Sequence, residues 1–416
     1  MNERVCVHGA AGSIGSSCVE ITSGKHHIIL DYGKPLEGEG KVPFKFPKSE
    51  NARKNYIAVI SHSHGDHAGF INEIPQDVPV YMHWLTKRAL ELQGVLNRQV
   101  TTLNAFEIIE FGIVNFTLVP VKHSAADACG ILIGTENQTI FYTGDFRSSG
   151  FASDLQAYIS KTSQFSDNKL TLITEATHIG TENKKGEENS IACEDDMPDA
   201  LAQEFGKPGF IMVKVANQNV ARIQSLYRAA VKSGRLLVTE PYTAMCCKRL
   251  SCSAETYPYS ERTGTVRPYN VKPDGKVWKV YCYPTKRTTE MGKDGSLYGL
   301  KEFKISTEEL KKNADNIVFV ANTETERYFE KNKMVDRVVW SMWTGYPEYE
   351  KLCAKHRVKV IHSSGHVSPE NLVSFVRKIR PDRTIVVHTE NQEEAEKLLA
   401  PYTEIIHVQQ KKEIIL

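Results

Sequence analysis

Three imidazoles and one carboxylate fall within six residues at His62-Ser63-His64-Gly65-Asp66-His67. Histidine nitrogens combined with carboxylate oxygens suit a borderline-soft divalent cation such as zinc. A merely solvated polar loop has no need of so many ligand types. A tight loop leaving a strand can splay them toward two neighbouring cation positions, and the apolar run Tyr56-Ile57-Ala58-Val59-Ile60 directly before the cluster reads as a buried strand. Ala68-Gly69 then reads as the start of a helix. The remainder of a two-cation site must come from distant segments. Three residues qualify: His123 after a strand at 114–121, Asp145 in Tyr142-Thr143-Gly144-Asp145-Phe146-Arg147, and His388 after a strand at 384–387. A lone histidine is usually an ordinary core or surface residue, but all three positions follow a strand as the first cluster does.

The elements that must position these residues are short strands with turn punctuation up to about Glu175. Segments 19–22 and 27–31 flank a turn at 23–25, and further strands are expected at 106–110, 114–121, 130–133, 139–142 and 170–174. Residues 84–96 have helical spacing. The polar stretch 181–199 reads as a loop and domain boundary, after which strand 210–215, helix 219–233 and strand 235–240 alternate as in a parallel α/β unit. Strands at 317–321 and 338–341 continue that unit. The first pattern then returns with strand 358–362, helix 369–379 and strand 384–388. The expected organisation is a first domain over 1–178, an insertion over 179–352 and a closing part over 353–416. Gly9-Ala10-Ala11-Gly12-Ser13-Ile14-Gly15 imitates a dinucleotide-binding loop, but such a loop needs a helix after it and a hairpin follows instead.

The bulk composition narrows the function classes. With 416 residues, 41% hydrophobic and 25% charged, the chain is long enough for two domains with sizeable cores. Fifty-two Lys and Arg against 50 Asp and Glu give a charge of +2, so no global field drives it onto nucleic acid or membrane, and any polyanion site must be local. No apolar run approaches the roughly 20 residues of a membrane span, and polar residues follow Met1 where a signal peptide would be apolar, so a cytoplasmic protein without membrane contact is expected. Nine cysteines at irregular spacing fit reduced thiols, and Cys246, Cys247 and Cys252 lack the second pair of a structural zinc site. One local field does occur. Residues 248–293 carry ten cations against four acids, with Tyr257, Tyr259, Tyr269, Trp278, Tyr281 and Tyr283 interleaved. Cations for phosphates and rings for bases are what a single-strand channel requires; an irregular surface over a small aromatic core is the alternative.

The H-x-H-x-D-H motif at 62–67, His123 and Asp145 resemble the metallo-β-lactamase fold hydrolases. Glu175 at a strand end, Ser364-Gly365-His366 and His388 are similar to the marks of their β-CASP nuclease branch, and Asn219-Val220-Ala221-Arg222-Ile223-Gln224 is similar to a segment of the ribonuclease J group. The resemblance covers nearly the whole chain. It departs at Thr389, at Val367 and at Ala125-Ala126, positions where the family usually has other residues. It implies an α/β fold, an αββα sandwich with an inserted parallel α/β domain. It further implies one cation held by His62, His64 and His123, a second by Asp66, His67 and His388, and Asp145 bridging; zinc is the expected metal and manganese the alternative. Asp66 and Glu175 are counted with His366 as catalytic, His366 as general acid and Glu175 as the group orienting it. Asp31 is expected to support a ligand or a turn. Ser364 and Ser368 either hold a substrate phosphate or cap the following helix, and Arg222, Lys276, Lys279 and Trp278 are expected to bind substrate.

The implied reaction is phosphodiester hydrolysis on single-stranded RNA, in a cleft between the two domains. A DNA nuclease of the same fold is the rival enzyme, and an inactive nucleic-acid-binding subunit the rival of another class, against which the full set of seven ligands argues. The chain ends 28 residues after His388, from which no additional C-terminal domain is expected, and a homo-oligomer is allowed.

Overall fold

The computed structural model describes residues 3–38, 40–166, 168–180, 191, 193–251 and 270–416. They divide into two units, one from the described residues of Met1–Glu182 and Gly365–Leu416, the other from those of Asn183–Ser253 and Pro268–Ser364.

The first unit is built from strands apolar on both faces. In Tyr56–Ile60, Ile57 and Val59 enter one buried cluster while Ala58 and Ile60 enter another on the opposite face. A strand of period two that is apolar at every position must be covered on both sides. Two seven-stranded sheets meet this need. The first runs Glu413–Ile415, Arg4–Gly9, Cys18–Ser23, His26–Leu30, Tyr56–Ile60, Val80–His83, Thr101–Leu103 in spatial order. The second runs Glu404–Ile405, Arg383–Val387, Lys169–Glu175, Gln138–Tyr142, Cys129–Gly134, Val114–Pro120, Ile109–Phe111. Their inner faces share a core that includes Val7, Ile21, Leu30 and Val59 of the first and Leu118, Ile131, Ile140 and Ile385 of the second. Helix Trp84–Gln93 covers the outside of the first sheet through Leu90, and helices Ala152–Lys161, Pro369–Ile379 and Gln392–Leu399 cover the second through Leu155, Phe375 and Leu399. The layers are therefore α, β, β, α.

Cys18–Ser23 and His26–Leu30 form the antiparallel hairpin anticipated from the sequence, with Gly24 in the left-handed region at φ 57°. The glycine-rich segment before it leads into no helix. The strand expected at 106–110 is shorter, Ile109–Phe111, because Phe106 turns the chain with φ 62°. Among the described residues no helix is long and apolar enough to cross a membrane, and the described cysteines are free. Cys246 and Cys247 are buried, which pushes both thiols up, Cys246 to about 12, so neither is poised as a thiolate ligand. Cys252 lies outside the described residues.

The second unit holds a six-stranded, wholly parallel sheet in the order Trp278–Val280, Leu236–Thr239, Ile317–Val320, Ile211–Lys214, Arg337–Trp340, Val358–Val360. The α/β alternation of the sequence is realised here, with helix Val220–Ser233 capped by the Asn219 side chain and closed by Gly234 at φ 67°. Val358–Val360 pairs with Arg337–Trp340, so that strand belongs to this sheet and the chain rejoins the first unit at Gly365, later than the boundary expected after residue 352. Helix Met197–Phe205 occupies the end of the stretch expected as a loop at 181–199.

Candidate metal centre

Strands Val114–Pro120, Gln138–Tyr142, Lys169–Glu175 and Arg383–Val387 all run in the same direction, so their carboxyl ends share one edge of the second sheet. His123, Asp145, Glu175 and His388 come from those ends. Across the sandwich, strand Tyr56–Ile60 delivers His62 to His67. Two of the residues involved, Asp31 at φ 61° and His388 at φ 51°, hold a left-handed backbone uncommon for residues other than glycine.

Three groups of side chains offer ligand atoms within 4.8 Å of one another: His62, His64, His123 and Asp145; Asp66, His67, Asp145 and His388; and Asp145, Glu175, His366 and His388. Asp145 belongs to all three. Its Oδ2 lies 3.8 Å from His62 Nε2 and 3.7 Å from His123 Nε2, while its Oδ1 lies 3.3 Å from His67 Nε2 and 3.8 Å from His388 Nδ1. The carboxylate thus divides its two oxygens between two histidine clusters. His64 Nδ1 and His123 Nε2 are 3.2 Å apart, close to the roughly 3.3 Å between two nitrogens on one tetrahedral zinc. His62 Nε2 is buried with no hydrogen-bond partner. An orphaned ring nitrogen at the centre of such a set is costly unless a cation takes it, so the residues fit a pair of divalent cations.

The surrounding bonds select which ring nitrogen faces inward. His123 Nδ1 donates to the Gly365 carbonyl at 2.6 Å and His67 Nδ1 to Asp31 Oδ2 at 2.7 Å, leaving Nε2 of each for the site. His388 Nδ1 donates to Thr177 Oγ1 at 2.9 Å, whose hydroxyl donates in turn to Glu175 Oε2 at 2.6 Å, and His388 Nε2 stands 3.2 Å from Asp66 Oδ2. Asp31 acts as a hub, also accepting from the Ser61 N–H, Ser61 Oγ and Tyr142 Oη at 2.7, 2.8 and 2.7 Å. These bonds fix the His67 ring in place. Tyr142, Thr177, Asp127 and the Gly365 carbonyl were not singled out from the sequence, because no local motif marks a residue whose task is set by partners dozens to hundreds of positions away.

Burial lowers His62, His64 and His123, which keeps them neutral and able to ligate. Burial works the same way on His67, but Asp145 and Asp31 outweigh it and raise that ring well above its usual value. Burial opposes ionisation of Asp145 and Asp66, yet His388, His67 and His366 hold Asp145 well below the usual carboxylate range, and His67 and His388 do the same for Asp66. His366 Nδ1 is 2.8 Å from Glu175 Oε2. Burial would lower His366, but Glu175 and Asp145 prevail and raise it to about 9. Glu175, 1% exposed, is fixed by the Phe146 N–H at 2.7 Å on its other oxygen.

The expected substrate residues fare differently. Ser368 caps helix Pro369–Ile379, accepting the Asn371 N–H at 3.3 Å, and half-buried Ser364 lies in the second unit. Arg222 is not available to a phosphate. It is fully buried, with its guanidinium bonded to both Glu194 oxygens at 2.9 and 2.8 Å, to the Ser341 carbonyl and hydroxyl, and to the Ser363 carbonyl. Trp278 cannot stack on a base. It is 0% exposed in the sheet of the second unit, and its indole N–H donates to Thr239 Oγ1 at 3.0 Å. Tyr281 is buried beside it in sequence, so these rings of the basic segment are core. Lys276 is exposed, and half-buried Lys279 lies 4.0 Å from Glu309. Tyr257, Tyr259, Tyr269, Arg262 and Arg267 lie outside the described residues. Trp278→Ala should therefore destabilise the protein by about 3–5 kcal/mol, as a large buried aromatic does when truncated; denaturant unfolding with no change in midpoint would contradict this placement.

Residues 36–159 match the family model of the Beta-lactamase superfamily domain. Ribonuclease J of Thermus thermophilus is 25% identical over 401 residues, 90% of this chain and 66% of that protein. Ribonuclease J of Methanocaldococcus jannaschii is 30% identical over 189 residues, 42% of each chain. The chain thus spans less than two thirds of the length of these curated relatives. A protein of unknown function from Enterococcus faecalis V583 has a crystal structure with a TM-score of 0.73 and 21% identity over the whole of both chains. Sheet order, helical layers and these likenesses agree: the protein has the metallo-β-lactamase fold with an additional α/β unit, and its sequence is similar to those of the ribonuclease J proteins.

Proposed function

We propose that this protein is a metal-dependent phosphodiester hydrolase, specifically a ribonuclease acting on single-stranded RNA with two zinc ions. The observation that carries the reading is the division of Asp145 between two histidine clusters with the His366–Glu175 pair beside it. The names of the curated relatives support RNA as the substrate. His62, His64, His123, Asp66, His67, His388 and Asp145 would hold divalent cations, which would supply Lewis acidity toward a water and positive charge toward the phosphate.

The chain's own residues do the rest. Hydrolysis joins a water oxygen to phosphorus and breaks the bond to the leaving oxygen, which needs a proton as it departs. His366 supplies it from Nε2, since its Nδ1–H is committed to Glu175. Glu175 sets the ring's orientation and favours its protonated form. The Thr177 hydroxyl links Glu175 to His388, so the proton donor and a ligand are braced by one carboxylate.

The test is incubation of zinc- or manganese-loaded protein with end-labelled single-stranded RNA and DNA of matched sequence, each with a 5′ monophosphate, triphosphate or hydroxyl. RNA should be cleaved and DNA spared, the activity should disappear with a chelator, and the label pattern should separate cleavage from an end from internal cleavage. Faster DNA cleavage would make the protein a DNA nuclease. Binding without cleavage by protein carrying two ions would make it an inactive nucleic-acid-binding subunit.

A further inference from the structure

Asp127 lies outside every ligand group, yet it is almost fully buried, 2% exposed, in the loop between strands Val114–Pro120 and Cys129–Gly134. Its Oδ2 accepts the Ser63 N–H at 2.8 Å and its Oδ1 accepts the Ser63 hydroxyl at 3.0 Å. Gln93 Nε2, from the end of helix Trp84–Gln93, donates to the Ser63 carbonyl at 3.3 Å. Every polar group of Ser63 is thereby taken. Ser63 stands between His62 and His64, and Asp127 stands four residues after His123 in the same loop. One carboxylate therefore ties together the two segments that carry all three histidines of one cluster, and it makes no comparable bond to Asp66, His67 or His388.

We propose that Asp127 is a positioning residue for that cluster: through its paired bonds to Ser63 it sets His62 and His64 opposite His123 for a single divalent cation. Two parallel bonds to one residue fix orientation as well as distance, which a single bond does not. Supporting partners of metal ligands typically govern affinity by 10–100-fold. The inference rests on the two-cation reading of the site but concerns only one of its two positions.

The experiment titrates metal-free wild type, Asp127→Ala, Asp127→Asn and Ser63→Ala with zinc against a chromophoric chelator, and records the visible absorption of the cobalt-loaded forms. Wild type should take up two ions. Asp127→Ala should weaken one uptake step by about 10–100-fold, leave the other in place and alter one set of cobalt bands. Asp127→Asn can still accept the Ser63 N–H and donate to its hydroxyl, so it should restore uptake to within a few-fold. Ser63→Ala should weaken the same step by less. Should Asp127→Ala fail to fold, the last two variants still decide the matter, because only positioning predicts rescue by one and a one-step loss in the other. Equal weakening of both steps, or a one-step loss in Asp127→Asn as large as that in Asp127→Ala, would overturn the proposal. Wild type binding two ions with every variant unaffected would overturn this proposal alone; wild type binding none would overturn the two-cation reading as well.

Discussion

Asp145→Ala should strip the protein of both tightly held cations, whereas His64→Ala should leave one. The asymmetry follows from where each side chain points. Asp145 Oδ1 faces His67 and His388 while Oδ2 faces His62 and His123, so deleting it removes a ligand from two positions at once. His64 faces one position only, through His123. Elemental analysis after dialysis reads the result directly, with circular dichroism to verify that the fold persists. Two retained ions in Asp145→Ala would show that the carboxylate does not bridge.

His366→Ala should lower hydrolysis by roughly 10²–10⁴-fold, the usual worth of a positioned acid or base, with metal content near that of wild type. His366 is tied to Glu175 rather than aimed solely at the cluster, and its ring remains partly exposed, as a group must be to reach a leaving oxygen. Glu175→Gln should act in the same direction by a smaller amount, because the amide keeps a hydrogen bond but removes the charge that favours the protonated ring. Single-turnover rates measured with saturating RNA separate this from a binding defect. Metal loss in His366→Ala would move that residue into the ligand set.

Much of the centre was legible in the sequence because ligand chemistry announces itself by residue type, and strand ends are marked by apolar runs that stop. His62 to His67, His123, Asp145 and His388 all have that form. The supporting bonds were not legible, since Asp127 to Ser63 and Tyr142 to Asp31 depend on how two sheets face each other. The substrate side was misread for a different reason. Composition alone cannot tell a buried aromatic from an exposed one, although the alternation over Lys276-Val277-Trp278-Lys279-Val280 already places Trp278 and Val280 on one face of a strand. Arg222 carried no such hint, because its partner Glu194 sits in a stretch that reads as a polar loop.

The order of strands in the two sheets also has a consequence for how the protein comes into being. Arg383–Val387 completes the second sheet against Lys169–Glu175, and Glu413–Ile415 adds to the first against Arg4–Gly9. A chain emerging from the ribosome therefore carries His62 to His67, His123 and Asp145 long before the strand that brings His388. Until then, Lys169–Glu175 presents an unpaired, apolar edge of the kind that recruits other strands. Folding of the first unit must wait for contacts between strands some hundreds of residues apart in sequence, which makes it slow and prone to association on the way. Chains interrupted after the second unit should accumulate as aggregates rather than as a soluble fragment.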